Sequence, residues 1–353
     1  MLIAVDAMGS DGAPDVEVEG AVAASLDSDI EIALVGDEAV LNEKLAAYPK
    51  KGAIRVVHAS EAIGMDESPG IAVRKKKDSS MLVAMRLVKR EEASAFVSAG
   101  NTGALMFGAR AIIGPIRGVA RSALCQTLPT RQGRVALLDL GATVDCTARH
   151  LCEFAEMGIA YSQYTLGVEN PRVGLLNIGE EDFKGHNVAK EVHAKLRAAP
   201  HVNFIGNVEP KAMYAGQSDV VVCDGFMGNI ILKTSESVAG FMAKLVKDKL
   251  EQSSMSKLGA VLARRSLLDL KATIDPNEYS GAPLLGVKGI VIKVHGSCTA
   301  QGVANGIRGA AVAHQNRLIE HIKENIEELR KVERSMEPTA QAEEAADTAE
   351  TPS

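Results

Sequence analysis

The 353-residue chain has no tryptophan, and aromatic residues make up 3% of it, against 32 glycines. A core without large rings has to be filled by Ala, Val, Leu and Ile, with backbones approaching closely where glycine permits. No apolar run approaches the roughly 20 residues needed to span a bilayer. The five cysteines (Cys125, Cys146, Cys152, Cys223, Cys298) are scattered without a CxxC pair, which is poor spacing for structural zinc. Their odd number, and an N-terminus without signal-peptide character, predict free thiols in a reducing cytoplasm. There is no basic excess. The net charge of -6 argues against a general nucleic-acid binder. Also missing are a GxGxxG fingerprint, a P-loop, an HExxH pair and a GxSxG elbow. These absences weigh against a nicotinamide enzyme, an ATPase, a zinc protease and an α/β-hydrolase. No protein nucleophile, cofactor or metal site is expected.

What is present is an alternation of short apolar runs and amphipathic stretches. Strands are predicted at Leu2–Val5, Ile32–Val35, Ile54–Val57, Ala95–Val97, Val135–Leu138, Val173–Leu176, Asn203–Ile205, Val220–Val222 and Ile290–Val294. Helices are predicted at Val16–Leu26, Ser80–Arg90, Asn101–Ile112, Thr147–Tyr164 and Asn187–Ala198. That order implies an α/β fold, a mostly parallel sheet with helices on both faces. Two stretches depart from it. About 228–271 is almost wholly helical with a polar break at Gln252-Ser253-Ser254, and predicts a long inserted helical hairpin. Thr299–Val332 is helical too. Residues 335–353 carry five acids and no base, and should form a disordered acidic tail beyond a single large domain at 1–334. Without the tail the body is close to neutral.

Ligands in such folds collect at the carboxyl ends of parallel strands, and six of those ends are chemically loaded. Asp6-Ala-Met-Gly9-Ser10-Asp11 follows the first strand. Gly100-Asn101-Thr102-Gly103 opens a helix, either as an anion site of exposed N–H groups or as a simple capping turn. Asp139-Leu-Gly141-Ala-Thr143-Val-Asp145 and Asn177-Ile-Gly179-Glu180-Glu181 follow two more strands. In Asp224-Gly225-Phe-Met-Gly228-Asn229, Asp224 could cap the long helix. Asn229 and Lys233, four apart, share a face near its start, where Lys233 donates to a phosphate or is merely solvated. Lys184 could neutralise a phosphate or belong to a surface loop, and His186 could cap the next helix. His295-Gly-Ser297 ends an apolar strand, where a lone histidine is either structural or chemical.

Taken in order, Asp6–Asp11, Gly100–Ala104, Gly174–Glu181 with Lys184-Gly185, Asp224–Asn229 with Lys233, and Gly281–Gly286 with His295–Ser297 resemble one family. It is that of the bacterial acyl-carrier-protein:phosphate acyltransferases (the PlsX family), and the likeness runs from about residue 1 to residue 330. Thr143 stands where the family usually has Asn, Asp11 where Gly is commoner after Ser10, and Cys298 where Ser is usual. The resemblance implies an isocitrate/isopropylmalate dehydrogenase-like architecture shared with phosphotransacetylase, and a homodimer. It implies transfer of an acyl group from acyl carrier protein to inorganic phosphate. A downstream membrane glycerol-3-phosphate acyltransferase would consume the product. It also implies a cytoplasmic protein peripherally bound to the membrane surface through the hairpin.

The chemistry asked of such a site is modest. Phosphate is already largely dianionic at neutral pH, its second pKa being about 6 in phosphomonoesters. A thiol of pKa about 8.5 leaves readily as thiolate. Positioning and oxyanion stabilisation should therefore outweigh proton transfer. On that reading Lys184 and Lys233 hold phosphate or balance charge, and amides of Gly100–Gly103 and Gly225–Asn229 cradle the anion. Asn101, Asn229 or His295 donates to the oxyanion, and Asp6 and Asp224 orient those donors. Gly9, Asn177 and Glu181 complete the substrate site. In the hairpin, Leu258, Val261, Leu262 and Leu268 lie on one side of a helix, flanked by Lys257, Arg264 and Lys271, with Arg265 interrupting. That face fits a membrane surface, a dimer contact or packing in the core, and its bases could meet an acidic carrier protein. Rival readings are a short-chain phosphate acyltransferase using acyl-CoA, a dehydrogenase on the same architecture, and a non-catalytic acyl-carrier or membrane scaffold.

Overall fold

The computed structural model describes residues 1–26, 30–275 and 281–336. The predicted tail thus lies outside the described residues from 337 onward. Eleven strands among the described residues form one sheet. They are β1 (Leu2–Asp6), β2 (Glu31–Gly36), β3 (Ile54–His58), β4 (Ala95–Ser98), β5 (Ala123–Thr130), β6 (Gly133–Leu138), β7 (Val173–Leu176), β8 (Phe204–Val208), β9 (Val220–Val222), β10 (Ala282–Leu285) and β11 (Ile290–Lys293). Their order is β3-β2-β1-β4-β11-β10-β5-β6-β9-β7-β8.

Alternate side chains of each strand feed two separate cores, which is what a doubly covered sheet requires. Ile3 and Val5 join one core with α1 (Asp15–Leu26), α2 (Glu38–Ala46), α6 (Ala148–Tyr164), α7 (Asn187–Ala198), α12 (Ala300–Gln315) and α13 (Leu318–Met336). Ala4 and Phe96 join the other with α3 (Pro69–Lys75), α4 (Ser80–Lys89), α5 (Thr102–Gly108), a π-turn at Ala109–Ile113, α8 (Pro210–Ala215) and the start of α9 (Gly225–Glu251).

Strand direction decides where the site can be. β3, β2, β1, β4 and β11 run parallel, as do β6, β9, β7 and β8. Between them β10 is antiparallel to both β11 and β5, and β5 is antiparallel to β6. The two parallel halves therefore point in opposite senses. The end of β11 meets the start of β10 (Lys293 opposite Ala282). The other end of β10 meets the start of β5 (Leu284 opposite Leu124), and β5 starts beside the end of β6 (Cys125 opposite Leu138). Four residues of strand span only about 13 Å. Both sets of carboxyl ends thus converge on the central seam.

Three sequence expectations need correction. β5 and β10 were not predicted: neither contains an uninterrupted run of branched apolar residues, and Pro129 and Pro283 argue against strands locally. The stretch expected to be a hairpin at 228–271 starts earlier, at Gly225, and comprises three helices, α9, α10 (Ser254–Leu262) and α11 (Arg264–Ile274). Gln252 ends the first, and Ser253 caps the second, its Oγ accepting from Ser256 N at 3.0 Å. The terminal helical stretch is broken at Arg317, whose φ of 51° no continuous α-helix allows.

Candidate active site

A cavity of about 310 Å³ opens at the seam. The first half of the sheet contributes Asp11, Thr102, Lys293, His295 and Ser297; the second half contributes Asn229, Lys233 and Glu236 from the first turns of α9.

The wall on the first half is built by register. Asp6, Ser98 and Lys293 are aligned at the ends of β1, β4 and β11. Asp6 is buried, and its carboxylate accepts from Ser80 Oγ (2.6 Å), Ser98 Oγ (2.7 Å) and Met8 N (3.3 Å). Burial raises its carboxyl above the usual carboxylate range, and the two hydroxyls pull it back. A side chain at Gly9 would start 2.7 Å from both Asp6 Oδ2 and Gly100 N, so only glycine fits between β1 and β4. Asp6 therefore orders backbone and hydroxyls at this wall rather than orienting Asn101 or Asn229.

Lys293 lies at the base of the cavity, 8% exposed, its ammonium donating to Ala99 O (3.1 Å) and Val294 O. Burial lowers it to about 8. His295 stands at the mouth. Its Nδ1 accepts from Ser297 N (3.3 Å) and lies 2.9 Å from Ser297 Oγ. That assignment leaves the neutral ring's proton on Nε2. Burial, and then the Lys233 charge, hold the ring below its ordinary value, which favours the neutral form.

The second wall is the start of α9. Asp224 caps it, accepting from Met227 N at 2.8 Å. The first turn lies against the 139–143 loop, where Gly225 N donates to Thr143 O (2.8 Å) and Gly225 leaves no room for a side chain, 2.7 Å from Asp139 Oδ2. Asp139 is itself buried and accepts from the N–H groups of Leu124 (2.8 Å), Ala142 (3.1 Å) and Thr143 (2.6 Å). Burial raises its carboxyl to about 6. The backbone of Thr143 makes these contacts, while its Oγ1 donates to Ser122 O at 3.4 Å. Lys233 is paired with Glu236 at 2.8 Å.

The predicted residues do not all meet here. Asn101 is committed elsewhere: its Oδ1 caps α5 through Ala104 N (3.0 Å), and its Nδ2 donates to the carbonyls of Gly64, Met65 and Glu67. Gly100 N donates to Ser98 Oγ (3.0 Å), and Gly103 packs on Pro69, so the Gly100–Gly103 turn is chiefly a cap and a packing joint. Asn177 and Asp224 line a second cavity of about 280 Å³ instead. Asn177 braces its own loop through Lys184 O (3.1 Å) and Ile178 N (2.9 Å), and Glu181 O accepts from Asn207 Nδ2 (2.7 Å). Lys184 lines neither cavity and lies 4.0 Å from Glu181 Oε1. Strand reversal is the reason: the Asn177 and Asp224 ends belong to the opposite half of the sheet from Asp6, Asn101 and His295. Sequence reasoning placed Asp11 and Asp139 in loaded strand ends without giving them a role, and it missed Lys293. A lone lysine in the run Ile290-Val-Ile-Lys293-Val was the available signal, since a central parallel strand is otherwise apolar on both sides.

Residues 1–321 match the family model described as fatty acid synthesis protein. The phosphate acyltransferase of Geotalea uraniireducens strain Rf4 is 46% identical over 329 residues, covering 93% of this chain and 95% of that one. The phosphate acyltransferase of Pelotomaculum thermopropionicum is 46% identical over 329 residues, covering 93% and 96%. Among solved structures, a phosphotransacetylase from Streptococcus pyogenes aligns with a TM-score of 0.60 at 17% identity, over 91% of this chain and 94% of its own. A branched-chain phosphotransacylase from Enterococcus faecalis V583 aligns with a TM-score of 0.58 at 15% identity, over 89% and 99%. At those identities the two structures establish a shared fold.

Proposed function

The chain belongs to the fatty acid synthesis protein family and is an acyltransferase, and from that premise we propose that its central cleft moves a long-chain acyl group from acyl carrier protein to inorganic phosphate. The observation that carries the long-chain reading is an apolar cleft of about 380 Å³ running along α9. It is lined by Leu128, Pro129, Tyr214, Val238 and Ala239, and it shares Gln126, Leu232 and Glu236 with the polar cavity. One end thus offers cations and donors, the other aliphatic surface, as an acyl phosphate requires.

In this scheme phosphate enters as the dianion and attacks the thioester carbonyl directly. Asn229 Nδ2 and His295 Nε2–H donate to the oxyanion that develops, and Lys233 adds positive charge at the rim. The carbon–sulfur bond breaks with the electron pair leaving on sulfur, so no protein nucleophile and no strong base are used. Lys184, Glu181, Asn177 and Asp224 then serve the second wall, by shaping the loop over α9 or receiving the carrier protein.

Three associations accompany this reading. The exposed apolar side chains of α10 and α11 (Met255, Leu258, Val261, Leu262 and Leu268), with Lys257, Arg264 and Arg265 beside them, suit a membrane surface. No helix among the described residues is long and apolar enough to cross a membrane. The protein would then work as a homodimer at the cytoplasmic face, handing its product to a membrane glycerol-3-phosphate acyltransferase.

The test is free thiol release from palmitoyl-acyl carrier protein with and without inorganic phosphate, with hydroxylamine trapping acyl phosphate. Phosphate-dependent release with equal hydroxamate is the expected result. Release only from short-chain acyl-CoA would replace the carrier reading, and binding without release would leave a scaffold.

A further inference from the structure

The proposed reaction requires a place for a doubly charged anion, and none of the residues foreseen from the sequence supplies a buried cation. Lys233 is exposed and already paired with Glu236. Lys293 is different in each respect. It lines the same cavity, is almost fully buried, and has no carboxylate within ion-pair distance among the described residues. Two of its three N–H groups are held by Ala99 O and Val294 O, and the third has no partner among the described residues. Asp6, the nearest buried acid across the sheet, is occupied by Ser80, Ser98 and Met8 N.

A buried ammonium anchored only by carbonyls is electrostatically incomplete, because removal from water is compensated only by an opposite charge with good geometry. On that ground, and resting on the reading above, we propose that Lys293 is the residue that receives the acceptor phosphate, its free N–H pointing to a phosphate oxygen and its charge completed by the dianion. Arrival of the phosphate turns an unfavourable isolated charge into a charge-assisted pair. It also holds the nucleophilic oxygen within the cavity that Asn229 and His295 share. Burial depresses the lysine to about 8, and Cys298, Asp6 and Asp11 offset that only in part. The charged and titratable groups facing it are Asp6 on β1, Asp11 in the loop after it, Lys233 and Glu236 on α9, and His295 and Cys298 after β11.

The experiment compares wild type with Lys293→Met and Lys293→Arg, using inorganic phosphate as the probe. Two quantities are read: the rise in melting temperature with phosphate, and steady-state KM for phosphate and for the acyl carrier thioester. Lys293→Met should lose the phosphate-induced rise and increase KM for phosphate on the order of 10²-fold, while KM for the thioester changes little. Without phosphate it should melt no lower than wild type. In wild type, KM for phosphate should climb above about pH 8 as the ammonium deprotonates, by about tenfold per unit at most, and Lys293→Arg should flatten that climb. Lys293→Gln replaces the methionine variant should the latter fail to fold. An unchanged phosphate KM and an unchanged melting shift in a folded neutral variant would overturn the proposal. Wild-type phosphate binding that depends on Lys293 but yields no thiol release would sustain the phosphate site and defeat the acyl-transfer reading. Absence of both would defeat both.

Discussion

Single buried charges have consequences that can be measured. Glu17 on α1 is 1% exposed, with Oε1 accepting from Ser10 N (2.9 Å) and Oε2 without a partner among the described residues. Burial raises its carboxyl from 4.5 to about 7. Between those values the folded chain keeps a proton that the unfolded chain releases, so stability falls as pH rises through that window. The linkage amounts to up to about 3 kcal/mol. Glu17→Gln should remove that slope, so the loss of urea-unfolding free energy between pH 5 and pH 7.5 should be smaller in the variant. Asp139, raised to about 6, acts with the same sign and remains in both proteins as an internal reference. At this scale the sequence was only partly readable. The glycines and His295 were visible because strand-end motifs announce them. Lys293 was passed over inside the strand predicted at Ile290–Val294, and only the register with β4 and β10 shows it buried at a cavity. Asn101 misled for the opposite reason: its donors look available until the loop at 64–67 folds over them.

The decisive element is α9, which begins in the second half of the sheet and carries Asn229 and Lys233 to the cavity shared with the first. Its placement depends on two glycines at the 139–143 loop. A β-carbon at Gly228 would run into the Asp139 carbonyl and lie 2.9 Å from Cys223 Sγ. In an ordinary exposed helix Gly→Ala gains about 1 kcal/mol. Gly228→Ala should instead cost about 1–3 kcal/mol of overpacking and lower kcat/KM by displacing Asn229. Thermal unfolding and steady-state rates check both, and a stabilised variant would show that the joint is looser than described. Helices were the most legible elements, since α4, α6 and α7 follow their apolar periodicity. β5 and β10 were illegible because their strand character comes from neighbours: a four-residue segment containing proline becomes a strand when β11 and β5 flank it.

For the molecule as a whole, exposed apolar side chains gather on α10 and α11. Val261 and Leu262 are 68% and 81% exposed, on a stretch of helix that packs chiefly on its own neighbours. Val261→Glu should abolish binding to anionic phospholipid vesicles in a sedimentation assay while circular dichroism stays unchanged. Undiminished binding would remove the membrane reading and favour a contact between copies. The α/β class and the two-sided covering could be derived from the order of apolar runs. The reversal of strand direction at the seam could not, because nothing in a nine-strand reading marks where an antiparallel pair is inserted. That reversal explains why the loaded strand ends divide into two groups.

The same seam sets the order in which the chain can be completed during synthesis. The outer edge of β4 is covered by β11, in register from Ala95 with Ile290 to Ser98 with Lys293. Nearly two hundred residues must therefore be made before that edge is paired, on the order of 10–40 s at ribosomal rates of about 5–20 residues per second. Throughout that interval the nascent protein presents an apolar parallel strand with open N–H and C=O groups, a surface that invites pairing with another chain. A polypeptide whose buried cavity lysine and first sheet half are finished only by its last strand depends on being shielded while it waits. Its yield should respond to chaperone supply and growth temperature more steeply than its folded stability alone would suggest.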